Sequence, residues 1–151
     1  MKAVIQRVSE AAVKVEGECV GEIRHGYLIY LAVHREDGEK DLQWLLNRIL
    51  KTKLFEDEEG KMGASLGEVQ GEVLLVSQFT LYGTMTKGTK PSFSQSAPGE
   101  EARAWYEAFL ENLREAYKGK VATGVFAADM QVHSTNEGPV TLVLDSRYPK
   151  G

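Results

Sequence analysis

Polar and apolar residues alternate from the start of the chain. Val4, Gln6 and Val8 fall on one parity and Ile5 and Arg7 on the other; further on, Val13 and Val15 alternate with Lys14 and Glu16. A period of two predicts strands, and Glu16-Gly17 offers a hairpin turn into Cys19-Val20-Gly21-Glu22-Ile23. Residues 27–33 and 72–77 are near-continuous apolar runs, the pattern of strands buried on both faces. Between them the period changes. Leu42, Leu45, Leu46 and Ile49 recur at i, i+3, i+4 and i+7, which predicts a helix reaching about Lys53, with Asp37-Gly38 at its start and Asp37 as its cap. Asp57-Glu58-Glu59-Gly60 reads as a turn. Residues 83–97, rich in Gly, Thr, Lys, Ser and Pro, read as a long loop of the kind that carries function. Pro98 suits the first position of a second helix, whose apolar face is Ala102, Trp105, Tyr106, Phe109, Leu113 and Ala116 and which stops near Gly119. Closing strands are expected at 121–123, 130–133 and 140–144. Two amphipathic helices with many largely antiparallel, barrel-like strands make one compact α+β domain over residues 1–151.

Composition narrows the classes. A chain of 151 residues with 42% hydrophobic and 26% charged residues suits one globular core and excludes disorder. No apolar run approaches the roughly 18 residues of a membrane helix, so no membrane partner is expected. Gln6 and Arg7 interrupt the apolar residues of the first stretch, unlike a secretory signal. With Cys19 alone, no intrachain disulfide can form, and a cytoplasmic location is expected. The net charge of −4 argues against wrapping DNA or RNA along its backbone. A site that takes only the end of an RNA, with a few local cations, remains compatible with it.

The chemistry is sparse. His25, His34 and His133 are scattered and lack ligand spacing, so no metal is expected. No glycine-rich phosphate motif follows a strand, so no nucleotide cofactor is expected either. Ser77-Gln78-Phe79-Thr80 brings two hydroxyls and an amide to the end of a buried strand, where sites are common. Taken alone, this reads rather as a polar strand end with Phe79 and Leu81 in the core. A nucleophilic Ser77 or Thr80 would need an adjacent base, and the local sequence supplies none. Asn136-Glu137-Gly138-Pro139-Val140-Thr141 is either a plain turn before a strand or a segment with a cis Gly138-Pro139 bond, which about 5–6% of X–Pro bonds adopt.

In order and spacing, these segments resemble the D-aminoacyl-tRNA deacylase family over nearly the whole chain. The most specific stretches are Val76-Ser77-Gln78-Phe79-Thr80-Leu81-Tyr82 and Asn136-Glu137-Gly138-Pro139-Val140-Thr141. Ala3-Val4-Ile5-Gln6-Arg7-Val8, residues 55–62, Pro91-Ser92-Phe93-Ser94 and Ala128-Asp129-Met130-Gln131-Val132 add to them. The resemblance implies a homodimer with active sites at the subunit interface, acting on the aminoacyl 3′ end of tRNA without a cofactor. Ser77, Gln78, Phe79 and Thr80 match the motif that lines the pocket for the terminal adenosine and the aminoacyl group. Phe93 and Met130 lie in matching stretches and are expected to bind substrate with them. Gly138 and Pro139 match a cis-proline motif that reaches into the partner's pocket, and Arg7 matches an arginine that holds it. Two backbone carbonyls there would exclude an L side chain, while a D side chain or glycine escapes. The implied catalysis uses the 2′-hydroxyl of the terminal ribose, with backbone N–H groups near Phe79 and Thr80 for the oxyanion. Lys87 and Lys90 are then expected to meet phosphates, against the reading of an ordinary solvated loop.

Two departures stand out. Glu137 replaces the usual aspartate, a surface-type change, and Ala127 replaces a glycine in Phe126-Ala127-Ala128-Asp129-Met130, where an added methyl narrows nearby space. His133-Ser134-Thr135 has no counterpart and no assigned role. Two rival readings are an esterase with Ser77 or Thr80 as nucleophile and a non-catalytic module that binds an RNA end.

Overall fold

The computed structural model describes residues 1–150. The elements run β1 (Lys2–Val15), β2 (Glu18–Ile23), β3 (Gly26–Ala32), α1 (Glu39–Lys51), β4 (Phe55–Glu56), β5 (Met62–Ala64), β6 (Glu72–Ser77), a 3-10 turn (Phe79–Tyr82), α2 (Gly99–Ala116), β7 (Val121–Thr123) and β8 (Gln131–Asp145). β1 is the spine. One of its edges carries β8 antiparallel along nearly its whole length, with Lys2 opposite Asp145 and Lys14 opposite Gln131. β3 and β2 share the other edge, β3 facing residues 2–8 and β2 facing residues 11–15. β3 continues in parallel to β6, and β6 in parallel to β7. Each parallel step needs a crossover, which α1 and α2 supply. β7 then lies against β2, with Gly21 pressed on the Thr123 backbone, so the sheet nearly closes into a barrel.

Alternation along β3 and β6 serves two cores. Tyr27, Ile29, Leu31, Val73 and Leu75 pack toward the helices with Leu42, Leu45, Ile49, Tyr106 and Phe109. Leu28, Leu74 and Val76 point the other way, to Val8, Val13 and Ile23 inside the barrel. That double burial explains the two continuous apolar runs.

The α+β, barrel-like fold with two amphipathic helices is the one expected, and three details differ. Asp37 does not cap α1: Gly38 is the N-cap, and the Asp41 carboxylate accepts the Gly38 N–H at 2.9 Å. Asp37 instead pairs with the Met1 ammonium at 2.7 Å, with both side chains fully buried, and accepts the His34 N–H. The two closing strands expected at 130–133 and 140–144 are a single element, β8, that bulges rather than stops. The small β4–β5 ribbon was not anticipated.

Candidate active site

β6 delivers its C-terminal end into a cavity of about 570 Å³. Ser77, Gln78 and Phe79 line one part, and the first turns of α2 line another with Gly99, Ala102 and Tyr106. Phe126, Ala127, Ala128 and Met130, between β7 and β8, complete the wall. Beyond Ser77 the backbone tightens. Gln78 N–H donates to Leu31 O at 2.8 Å, Leu81 N–H to Gln78 O at 3.2 Å, and Gly83 N–H to Thr80 O at 2.9 Å. The first N–H groups of such a turn have no partner inside it. Among the described residues, those of Phe79 and Thr80 find no acceptor elsewhere. Two donors therefore stand free at the end of β6.

The side chains around these donors are ordered by local contacts. Ser96 Oγ donates to Phe79 O at 3.0 Å, and the Gln78 amide donates to Thr80 Oγ1. Phe79 is 55% exposed and meets Phe93 edge-on with ring centroids 5.1 Å apart. It is a surface aromatic, not a core residue, which decides against the polar strand end with a buried Phe79. Phe93 supports Phe79 without lining the cavity itself. Thr84 and Ser92 exchange backbone hydrogen bonds of 2.9 and 2.8 Å, which pin the long loop into a finger. Lys87 and Lys90 sit exposed on that finger, outside the cavity lining.

No histidine is hydrogen-bonded to either hydroxyl among the described residues. His34 Nδ1 accepts the Glu36 N–H at 3.1 Å, and its ring meets Tyr82 edge-on. Burial, reinforced by the Arg147 charge, holds its pKa below the ordinary value. His25 pairs with Glu137, and His133 faces Ala12 across β1.

Gly138, Pro139 and Arg7 form a second cluster apart from the cavity. Register passes from Gln6 opposite Thr141 to Val8 opposite Asn136, so residues 137–140 bulge out opposite Arg7 alone. Arg7 Nε donates to Glu137 O at 3.0 Å, and its Nη1 donates to Leu54 O at 2.7 Å. Asn136 spans the bulge: its Oδ1 accepts the Val140 N–H and its Nδ2 donates to Thr141 Oγ1, both at 3.1 Å. At the tip, the Gly138-Pro139 peptide bond is cis and Gly138 has φ +134°. A Cβ there would meet Arg7 Nη2 at 2.9 Å, so both backbone angle and space call for glycine. Both tip residues are exposed and neither lines the cavity of its own chain.

The family profile described as D-Tyr-tRNA(Tyr) deacylase matches residues 4–145. The chain belongs to the D-Tyr-tRNA(Tyr) deacylase family. Among curated relatives, the D-aminoacyl-tRNA deacylase of Thermotoga petrophila is 52% identical over 147 residues, covering 97% of each chain. That of Geobacter metallireducens is 51% identical over 151 residues, covering 100% of this chain and 99% of its own. A solved structure titled c-Myc DNA Unwinding Element Binding Protein superposes with a TM-score of 0.92 at 44% identity, covering 96% of this chain and 98% of that one. One titled as a probable eukaryotic D-amino acid tRNA deacylase shares the fold alone, with a TM-score of 0.79 at 22% identity over 95% of this chain and 98% of that one.

Within this deacylase-family fold, sequence reasoning missed several participants. Asn136 was legible as part of a motif but not as the clamp of the bulge. Glu137 does more than decorate the surface, since its carboxylate lies 3.5 Å from His25 Nε2. Gly99, Ala102 and Tyr106 read as helix residues, because nothing in a helical period marks which turn borders a cavity.

Proposed function

We propose that the chain hydrolyses the ester of D-aminoacyl-tRNA, and of glycyl-tRNA(Ala), to free amino acid and tRNA in the cytoplasm. Family membership and the relatives' names support the reaction class. The observation that carries the reading is the end of β6, where among the described residues two N–H groups stand free next to the cavity-lining stretch Ser77–Phe79 and no histidine is hydrogen-bonded to Ser77 or Thr80. Such a site is built to hold a developing oxyanion, a term worth roughly 2.7–4 kcal/mol per donor. Water adds to the carbonyl carbon, the bond to the ribose 3′ oxygen breaks, and that oxygen takes a proton. The neighbouring 2′-hydroxyl is the group at hand to orient the water and relay the proton. Exposed Phe79 and the Lys87–Lys90 finger suit the terminal adenosine and the phosphates behind it.

Selection against L-aminoacyl esters falls to Gly138 and Pro139 of a partner subunit. The bulge presents this dipeptide away from its own cavity and clamps it through Arg7 and Asn136. A rigid segment offered outward suits a second copy of the chain, and the outer edge of β8 has no strand partner among the described residues. Clash rather than attraction would then separate the enantiomers.

The test is hydrolysis of D-tyrosyl-tRNA and L-tyrosyl-tRNA by the purified protein, with and without chelator, and with a terminal 2′-deoxyribose. The expected result is loss of the D ester alone, indifferent to chelator, and at least about 100-fold slower without the 2′-hydroxyl. Ser77→Ala and Thr80→Ala should each keep activity within about tenfold and leave no trapped acyl-enzyme. An acyl adduct on either hydroxyl would establish the esterase reading instead, and binding without turnover would leave only an RNA-end module.

A further inference from the structure

The segment at the end of the long loop is stitched to the chain that follows β3. Arg35 N–H donates to Gln95 O and Ala97 N–H to Val33 O, each at 3.0 Å, and Ser96 N–H donates to Phe93 O at 3.0 Å. Ser96 is therefore anchored by backbone bonds on either side. From that position its Oγ reaches the Phe79–Tyr82 turn and donates to Phe79 O at 3.0 Å. Phe79 O and the Thr80 N–H belong to one peptide unit, which is planar and trans. In such a unit the C=O and the N–H point in opposite directions. A bond that fixes Phe79 O thus also fixes the Thr80 N–H, one of the two free donors. The other free donor, the Phe79 N–H, shares its peptide with Gln78 O, and there the turn itself supplies a donor, the Leu81 N–H at 3.2 Å. Each free N–H is therefore backed by a hydrogen bond on the carbonyl of its own peptide, one from the backbone and one from the Ser96 side chain. Linked hydrogen bonds polarise one another, by about 10–30% per bond.

We propose that Ser96 is a positioning residue for the hydrolysis, whose hydroxyl aims and polarises the Thr80 N–H for the developing oxyanion. The proposal rests on the reading that the end of β6 is an oxyanion site. Ser96 does not line the cavity, although its neighbour Ala97 does. It acts through the peptide and leaves the wall that receives the substrate as it is. Its effect is that of one neutral hydrogen bond felt in the transition state, about three- to tenfold in rate.

The experiment measures kcat and KM for D-tyrosyl-tRNA in the unaltered protein, Ser96→Ala and Ser96→Thr, together with the amide nitrogen resonance of Thr80. In Ser96→Ala, kcat should fall about three- to tenfold with KM within about twofold, the signature of an interaction made only in the transition state. The Thr80 nitrogen should shift upfield, because the carbonyl of its peptide has lost a donor. Ser96→Thr keeps the hydroxyl and should return both readouts toward the original values. Unchanged kcat in Ser96→Ala, a rise in KM alone, or equal losses in Ser96→Ala and Ser96→Thr would each overturn the proposal. A lower melting temperature with kcat intact does the same and leaves Ser96 a structural residue. The oxyanion site is tested apart from Ser96. A phosphonate analogue of the tetrahedral intermediate on the terminal adenosine should move the Phe79 and Thr80 amide resonances of the unaltered protein. If it binds and leaves them in place, the oxyanion reading fails and takes the proposal with it; if it moves them while Ser96→Ala keeps full kcat, the role of Ser96 alone is lost.

Discussion

At the scale of single residues, Arg7 does the most with one side chain. Its guanidinium ties Leu54 O to Glu137 O, joining the approach to β4 to the bulge of β8. Arg7→Ala leaves both carbonyls without this donor and should cost roughly 1–3 kcal/mol in urea unfolding. The D-to-L ratio of hydrolysis should drop about tenfold, equivalent to about 1.4 kcal/mol of lost discrimination. Arg7→Lys should recover little, because one ammonium cannot reproduce the two-armed geometry. Arg7 was legible as a charge breaking an apolar alternation, and its two acceptors were not, because carbonyl positions leave no trace in side-chain chemistry. Two phenols make a different prediction. Burial pushes Tyr27 and Tyr106 up to about 12, against about 10 when the chain is unfolded. Both stay neutral in the folded state while the unfolded state ionises, so their contribution is complete below about pH 10 and is lost as pH rises toward about 12. The melting temperature, other things equal, should therefore hold to about pH 10 and then fall steeply. Tyr106→Phe should soften that fall while losing the hydrogen bond to Leu75 O at all pH values.

Among the elements, the β3–β6 pair sets the site, since its register places Leu31 beside Ser77 and so fixes where the chain leaves the sheet. That pairing depends on Gly26, where a Cβ would fall 1.8 Å from Glu72 O. Gly26→Ala should destabilise by roughly 1–3 kcal/mol or more, read as a lower urea midpoint. Activity should decline with it, because the end of β6 moves. Sequence periodicity found α1, α2, β3 and β6 because burial on one stripe or on both faces writes itself into composition. It did not show that Gln131–Asp145 form one strand. The bulge that carries Gly138 and Pro139 interrupts the alternation just as a loop would, and only pairing with β1 reveals the continuity. The Phe79–Tyr82 turn was hidden for a related reason: its apolar residues fit a strand equally well.

For the whole molecule, the outer edge of β8 stands out, since it has no strand partner among the described residues. Val143 is 56% exposed on that strand. Val143→Lys should convert the proposed dimer to a monomer by light scattering on a sizing column, and lower the D-to-L ratio of hydrolysis with it, since each cavity would lack the other copy's Gly138-Pro139. If the D-to-L ratio is unchanged in a proven monomer, the filter cannot come from a partner. β1 leads the order of elements, yet its pairing with β8 joins Lys2 to Asp145, nearly the full span of the chain. Contacts so distant in sequence form slowly, because loop closure must precede any gain from pairing. A chain emerging from the ribosome thus carries the open edge of β1 through almost all of its synthesis, and the Gly138-Pro139 bulge takes shape only with the last strand. The proposed discrimination between enantiomers therefore waits for β8, and a product truncated before it would keep part of the cavity while lacking Gly138 and Pro139.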